Sequence, residues 1–386
     1  MALQRNHNVR AIGGRTASEI PGIKLERYEL ARGSSNTTHA FAVRFEADSI
    51  RAEATAKAAD RLLRAGFRPD VIVAHIGWGE RLMLRDVWPD AKIIAYCEFY
   101  YRSHGQDVNF DAEFETDTPA LNMKVRAKNA GTTLALVDAN LGLSPTQWQR
   151  STYPDQLQSR IAVIHDGIDT QEARPKTDAK LTLPGRVLRP GDEVITYVNR
   201  HLEPMRGLHI FLRALPRVLE ARPRADVVII GAPGKQAYGG TPSGGQLWKD
   251  RFLAEIADRV DTSRLHWLGR VSKPVYFDAL AVSRVHVYLT YPFVLSWSLL
   301  EAMSCQCLVV ASDTAPVREV ISDKSTGLLV NFFDTNRLAD LVIDGLARPP
   351  YEFAAMTAAA RQTIVERFDR AAICMPRLVE LVERWA

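Results

Sequence analysis

The sequence predicts an α/β chain built on open, doubly wound parallel sheets, and three observations predict it. Short apolar runs alternate with amphipathic stretches along most of the 386 residues, the order that puts helices on the faces of parallel sheets. Within those stretches apolar residues recur at three and four, as in helices packed on a sheet. A chain that is 46% hydrophobic and 24% charged is long and apolar enough for two separately cored domains.

Taken in order, Val71 to Ala74 and Ile93 to Cys97 are buried strands, preceded by a helix over Ala52 to Leu63. Ser144-Pro145 before Thr146 to Arg150 reads as an N-cap with proline at the first helical position. Ile161 to Ile164 is a further apolar run, followed by the turn His165 to Asp169 and the polar, Pro- and Gly-bearing run Arg174 to Asp192. This is the expected domain boundary. Beyond it, strands are predicted at Val194 to Val198, Val227 to Ile230, Val285 to Leu289, Leu308 to Ala311 and Leu328 to Val330. Helices are predicted at Leu208 to Leu219, Val275 to Ala281, Leu338 to Leu346 and Phe353 to Phe368. The tail Ala371 to Ala386 carries one more helical pattern, with Leu378, Leu381, Val382 and Trp385 on one side.

A formal net charge of +4 suits anionic partners such as nucleotide phosphates or the anionic face of a membrane. No basic stripe with interleaved aromatics marks a nucleic-acid binder. Four cysteines, Cys97, Cys305, Cys307 and Cys374, in apolar settings read as buried thiols of a reducing compartment, with no second pair to make a zinc site. No apolar run approaches the roughly 20 residues that span a bilayer, so the expected location is the cytoplasm or the inner face of the membrane.

The most informative stretch is Tyr291 to Val310, where a strand end runs through a small-residue turn into a helix and then another strand. The amides of Ser296, Trp297 and Ser298 would lie at a helix N-terminus, where unpaired donors and the macrodipole favour a diphosphate. Glu301, one turn in, could accept hydrogen bonds from a ribose. Ser298 and Glu301 equally fit the S-x-x-E capping box, in which the glutamate serves only its own helix. Arg200 and Arg206 flank a strand-to-helix loop at the carboxyl end of a strand, where such folds bind ligands; planar guanidiniums suit phosphate oxygens. Gly231-Ala232-Pro233-Gly234 follows the next strand and allows close backbone approach or a simple turn. Neither the dinucleotide fingerprint nor the P-loop occurs. In the first half, His75 and Glu98 follow buried strands. Glu98 sits beside aromatics, where it could orient a sugar hydroxyl or pair weakly with Arg102.

Together these segments resemble family 4 of the retaining, GT-B-type glycosyltransferases over nearly the whole chain. VIHDGID (Val163 to Asp169) resembles the family's motif closing the first domain, and VNRHLEPMRG (Val198 to Gly207) its basic diphosphate-binding segment, with Arg206 where lysine is usual. HWLGRVSKPVYFDAL (His266 to Leu280) resembles the segment packing the base, which nominates Val271. LLEAMSCQCLVVASDTAPVREVI (Leu299 to Ile321) resembles the block whose glutamate binds ribose, which is Glu301 here. Two departures stand out. Phe293 occupies the position of the first member of the family's glutamate pair, and Glu98 that of its first-domain histidine.

The resemblance implies two Rossmann-like domains, residues 1–170 for the acceptor and 171–370 for the nucleotide sugar, with a helix at 371–386 crossing back. It also implies an opening strand and glycine-rich loop. Here the sequence opens within a helix at Met1 to Gln4, ahead of a strand at Val9 to Ile12, so the first strand of the N-terminal sheet is expected to be missing. The implied reaction is transfer of a hexose from a UDP- or GDP-sugar to a glycan or lipid-linked acceptor in cell-surface polysaccharide synthesis. Arg200, Arg206 and Glu98 would act without a metal or further cofactor, and Val271, Ser296, Trp297, Ser298 and Glu301 would bind the donor. The departures also permit a catalytically impaired nucleotide-sugar-binding scaffold.

Overall fold

The computed structural model describes residues 3–233 and 242–386. The chain divides into two compact units, Met1–Asp166 with Ala371–Ala386, and Gly167–Arg370.

In the first unit, β3 (Val71–His75), β4 (Lys92–Tyr96), β5 (Leu141–Ser144) and β6 (Ile161–Val163) form a four-stranded parallel sheet in that order. Two earlier strands, β1 (Arg10–Gly14) and β2 (Lys24–Tyr28), pair in parallel with each other alone. The strands of this unit therefore fall into two separate parallel sheets. The helix Val43–Arg64 packs along β1 and β2, while Ala59 and Leu62 join Ile72 and Ala74 in one apolar cluster. On the other face, Leu378, Leu381, Val382 and Trp385 of the tail pack on Ile94, Leu143 and Ile164. Their three-and-four spacing is what buries one stripe of the Met375–Glu383 helix.

The second unit is a six-stranded parallel sheet in the order β11 (Leu265–Gly269), β10 (Asp226–Ala232), β9 (Val194–His201), β12 (Val285–Tyr288), β13 (Leu308–Ser312), β14 (Leu328–Val330). The central strands are buried over both faces, which is why their sequences are continuous apolar runs. Chain order reverses between β9 and β12, so the loops after these strands meet at a topological switch point, where open α/β sheets bind ligands.

Two local expectations are corrected. Ser144 does not cap a helix: it ends β5, buried, its hydroxyl donating to the Cys97 carbonyl at 2.9 Å. The helix starts at Gln147 and is capped by Thr146, whose Oγ1 accepts from the Gln149 amide at 3.1 Å. The polar run Arg174 to Asp192 contains a hairpin, β7 (Leu181–Leu183) with β8 (Arg186–Leu188), whose Leu181, Leu183 and Leu188 enter the second unit's core. Alternation hid these apolar residues among charged ones. All four cysteines are buried, and among the described residues no helix is long and apolar enough to cross a membrane.

Candidate active site

The candidate donor site lies at the carboxyl end of the second unit's sheet. The loop after β9 turns through a short 3-10 segment, Pro204–Arg206, and enters the helix Leu208–Ala221 at Gly207, whose φ is 71°. A side chain there would also meet Leu289 Cβ at 2.4 Å, so only glycine permits this approach to the β12 end. Arg206 is thereby aimed at the Thr290–Ser296 loop: Nη1 donates to Thr290 Oγ1 at 3.0 Å and to the Val294 carbonyl at 3.1 Å. Its guanidinium lies over the buried Phe293 ring, 5.6 Å from the centroid. Phe293 thus supplies an aromatic face to the cation where a carboxylate would have supplied charge.

Arg200 is exposed at the end of β9. Beside it, His201 is held below its ordinary pKa by burial first, and then by the positive charges of Arg200, Arg270 and Arg206. Three positive charges therefore act on one imidazole, and among the described residues none of the three guanidiniums pairs with a carboxylate. Unneutralised cations clustered at a strand's carboxyl end make an anion site. Arg270 and His201 are additions to the sequence-predicted set. Arg270 was legible only as a basic residue immediately before Val271.

The Ser296–Ser298 turn differs from expectation. Ser296 is the N-cap of the Trp297–Ser304 helix, its Oγ accepting from the Ser298 amide at 3.3 Å. The Ser296 amide donates to Tyr288 Oη at 2.9 Å. Two of the three amides are thus engaged internally, because a serine two positions earlier than Ser298 caps the helix and a buried tyrosine reaches the turn. Trp297, half exposed, keeps an amide with no partner among the described residues.

Glu301 does not close a capping box. Its Oε2 accepts from Tyr276 Oη at 2.5 Å, across to the helix Lys273–Val282. Burial pushes the Glu301 carboxyl up, while Tyr276 and the charge of Lys273 pull it down. The second carboxylate oxygen has no partner among the described residues. Tyr276 was missed from sequence, since a tyrosine at helical spacing reads first as core, and it does pack against the core with Val271. Gly231 is confined: a Cβ would stand 2.6 Å from the Asn199 carbonyl, so this glycine serves strand packing, while Gly234 lies outside the described residues.

A second constellation belongs to the first unit. The Gly77 amide donates to His75 Nδ1 at 3.0 Å, which leaves the ring proton on Nε2 to donate to Glu98 Oε2 at 3.2 Å. Glu98 is therefore not paired with Arg102, whose guanidinium donates to the carbonyls of Ser151, Thr152 and Tyr153. Beside the His75 ring stand Tyr96 and Trp78. Tyr96 Oη donates to Asp166 at 2.8 Å, and burial raises the Asp166 carboxyl. The pair was missed because Asp166 sits 70 residues from Tyr96 in a turn that sequence shows only as a boundary.

Sequence comparison matches residues 5–173 to the profile "Glycosyl transferase family 4 group" and residues 192–348 to "Glycosyl transferases group 1". The chain belongs to these glycosyltransferases. The D-inositol 3-phosphate glycosyltransferase of Mycobacterium avium is 27% identical over 203 residues, covering 52% of this chain and 44% of that protein. The phosphatidyl-myo-inositol mannosyltransferase of Mycobacterium leprae is 29% identical over 155 residues, 39% of this chain and 36% of that protein. The aligned region thus spans less than half the length of these relatives. Among solved structures, sucrose-phosphate synthase from Thermosynechococcus elongatus superimposes with a TM-score of 0.74 at 16% identity over 100% of this chain and 91% of that one. Anabaena HepE in complex with UDP gives 0.63 at 16% identity, over 94% and 86%. The fold of this glycosyltransferase chain is accordingly GT-B.

Proposed function

We propose that the chain transfers a hexose from a UDP- or GDP-sugar, with retention and without a metal, to a glycan or lipid-linked acceptor in cell-surface polysaccharide synthesis. The observation that carries this reading is Arg206 aimed at the Thr290–Ser296 loop, with Arg200 and Arg270 adding their positive charge at His201 and none of the three paired with a carboxylate among the described residues. In transfer from a nucleoside-diphosphate sugar the glycosidic C–O bond breaks and negative charge grows on the leaving diphosphate. Fixed guanidiniums and the Trp297 amide stabilise that charge more than the bound ground state, which is where rate acceleration comes from. Glu301, steadied by Tyr276, keeps one oxygen for a ribose hydroxyl, and Val271 packs beside the base. Glu98, oriented by His75, holds an acceptor or donor hydroxyl. The inositol-glycosyltransferase relatives and the UDP complex of HepE support a nucleotide-sugar donor.

Phe293 favours a second reading, a scaffold that binds nucleotide sugar without turnover, because it removes a carboxylate from the loop that Arg206 grips. Calorimetry with UDP- and GDP-sugars beside a donor-consumption assay decides: binding with transfer or hydrolysis supports the enzyme, and binding alone the scaffold. Absence of donor binding contradicts both.

A further inference from the structure

Among the described residues every side-chain partner of Arg206 is neutral. Its guanidinium donates to Thr290 Oγ1 and to the Val294 carbonyl and lies over the Phe293 ring, 5.6 Å from the centroid. The Tyr288 hydroxyl is a further neighbour: burial pushes it up, while the charge of Arg206 and hydrogen bonds with the Ser296 amide, Thr290 and Arg206 pull it down. No carboxylate among the described residues pairs with this half-buried cation. A charge withdrawn from water needs hydrogen bonds or a counter-ion. Here the protein supplies the hydrogen bonds and withholds the counter-ion.

The frame that holds Arg206 is fastened on both sides. Thr290 is fully buried, its amide donating to Ser312 Oγ at 3.0 Å and its carbonyl accepting from the same hydroxyl at 3.1 Å. The Tyr291 amide donates to the Met205 carbonyl at 2.9 Å, and Tyr197 Oη donates to the Arg206 carbonyl at 2.5 Å. The loop and the Pro204–Arg206 turn therefore grip each other through backbone as well as side chains. Phe293 is only 4% exposed, so its ring is a fixed shelf within the reach of a cation–π contact. An aromatic face orients a guanidinium through its quadrupole and leaves the net charge in place. A carboxylate at the same position would cancel that charge, and an incoming anion would have to compete with it.

We propose that Phe293 is a positioning residue of the diphosphate site: its ring aligns Arg206 while leaving the guanidinium unneutralised, so that the chain holds a nucleoside diphosphate more tightly than a carboxylate at this position would allow. The inference rests on the donor-site reading given above. It applies to an enzyme and to a non-catalytic binder alike, because it concerns affinity for the anion.

The test compares Phe293→Glu with Phe293→Gln, which are matched in size and differ in charge. Each is titrated calorimetrically, beside the parent, with UDP and GDP and with uridine and guanosine. The Glu variant should bind the preferred diphosphate about tenfold or more weaker than the Gln variant, with nucleoside affinity as in the parent. Phe293→Leu keeps an apolar filling without a ring face and should lose about 3-fold or more of diphosphate affinity, whereas Phe293→Tyr should retain it. The Leu and Tyr pair decides the matter if the Glu variant does not fold. A parent that binds neither diphosphate overturns the donor reading and this inference with it. Equal diphosphate affinity in the Glu and Gln variants, or in the Leu variant and the parent, overturns this inference alone. So does a fall in nucleoside affinity as large as the fall in diphosphate affinity, the mark of a side chain that only supports the fold.

Discussion

Removing the Tyr276 hydroxyl tests how Glu301 is held. Tyr276→Phe deletes one hydrogen bond of 2.5 Å to a half-buried carboxylate and leaves the ring in the core. A bond to a charged group is worth about 1.5–3 kcal/mol and stabilises the ionised form more than the neutral one, so losing it should raise the Glu301 carboxyl further. The sign follows from burial. Glu301 is already raised in the folded chain, so its contribution to stability is present at low pH and lost as pH rises through the folded value. The variant deepens that loss. Urea unfolding should show a destabilisation of about 1.5–3 kcal/mol at pH 7 and only about 0.5–1.5 kcal/mol at pH 4, where the bond is between neutral groups. Calorimetric donor affinity, which needs the ionised carboxylate, should fall off on acidification at a higher pH than in the parent. Equal destabilisation at both pH values with an unmoved affinity profile would refute the reasoning.

Further outcomes follow from other contacts. Gly207→Ala meets both a left-handed φ of 71° and the Leu289 side chain; it should cost roughly 1–3 kcal/mol in thermal unfolding and lower donor affinity by displacing Arg206. Glu98→Ala should reduce transfer by roughly 10²–10⁴-fold in an assay at saturating donor, with the thermal midpoint unchanged. His286 is buried with Nδ1 2.8 Å from Thr196 Oγ1, and burial lowers it to about 3. The unfolded chain therefore binds the extra proton below about pH 6.5, and stability falls as pH drops through that window. His286→Leu should remove about one proton from the uptake that accompanies acid unfolding, measured from the pH slope of stability.

Much of the fold was legible because parallel strands buried on both faces leave unbroken apolar runs, as at Val194 to Val198 and Leu308 to Ala311. The hairpin Leu181–Leu188 was not, since its inward leucines alternate with charged and polar residues and flank a glycine turn. In the site, Arg200, Arg206 and Glu301 were legible from local order along the chain. Tyr276, Arg270 and the Tyr96–Asp166 pair were not, because each gains its meaning from a partner far away in sequence. The capping-box alternative for Glu301 failed for a reason no spacing rule contains: Tyr276 outcompetes the helix's own amide, and Ser296 caps in place of Ser298.

The central claim is that Arg200, Arg206 and Arg270 form a diphosphate clamp. Calorimetric titration of the parent, Arg200→Ala and Arg270→Ala chains with UDP, GDP and the corresponding nucleosides tests it most directly. The account predicts that one of the two diphosphates binds far more tightly than its nucleoside. Each substitution should then cost about 1.5–3 kcal/mol of that affinity while the thermal midpoint stays put. Diphosphate affinity unchanged in both variants, or no preference for diphosphate over nucleoside, would contradict it.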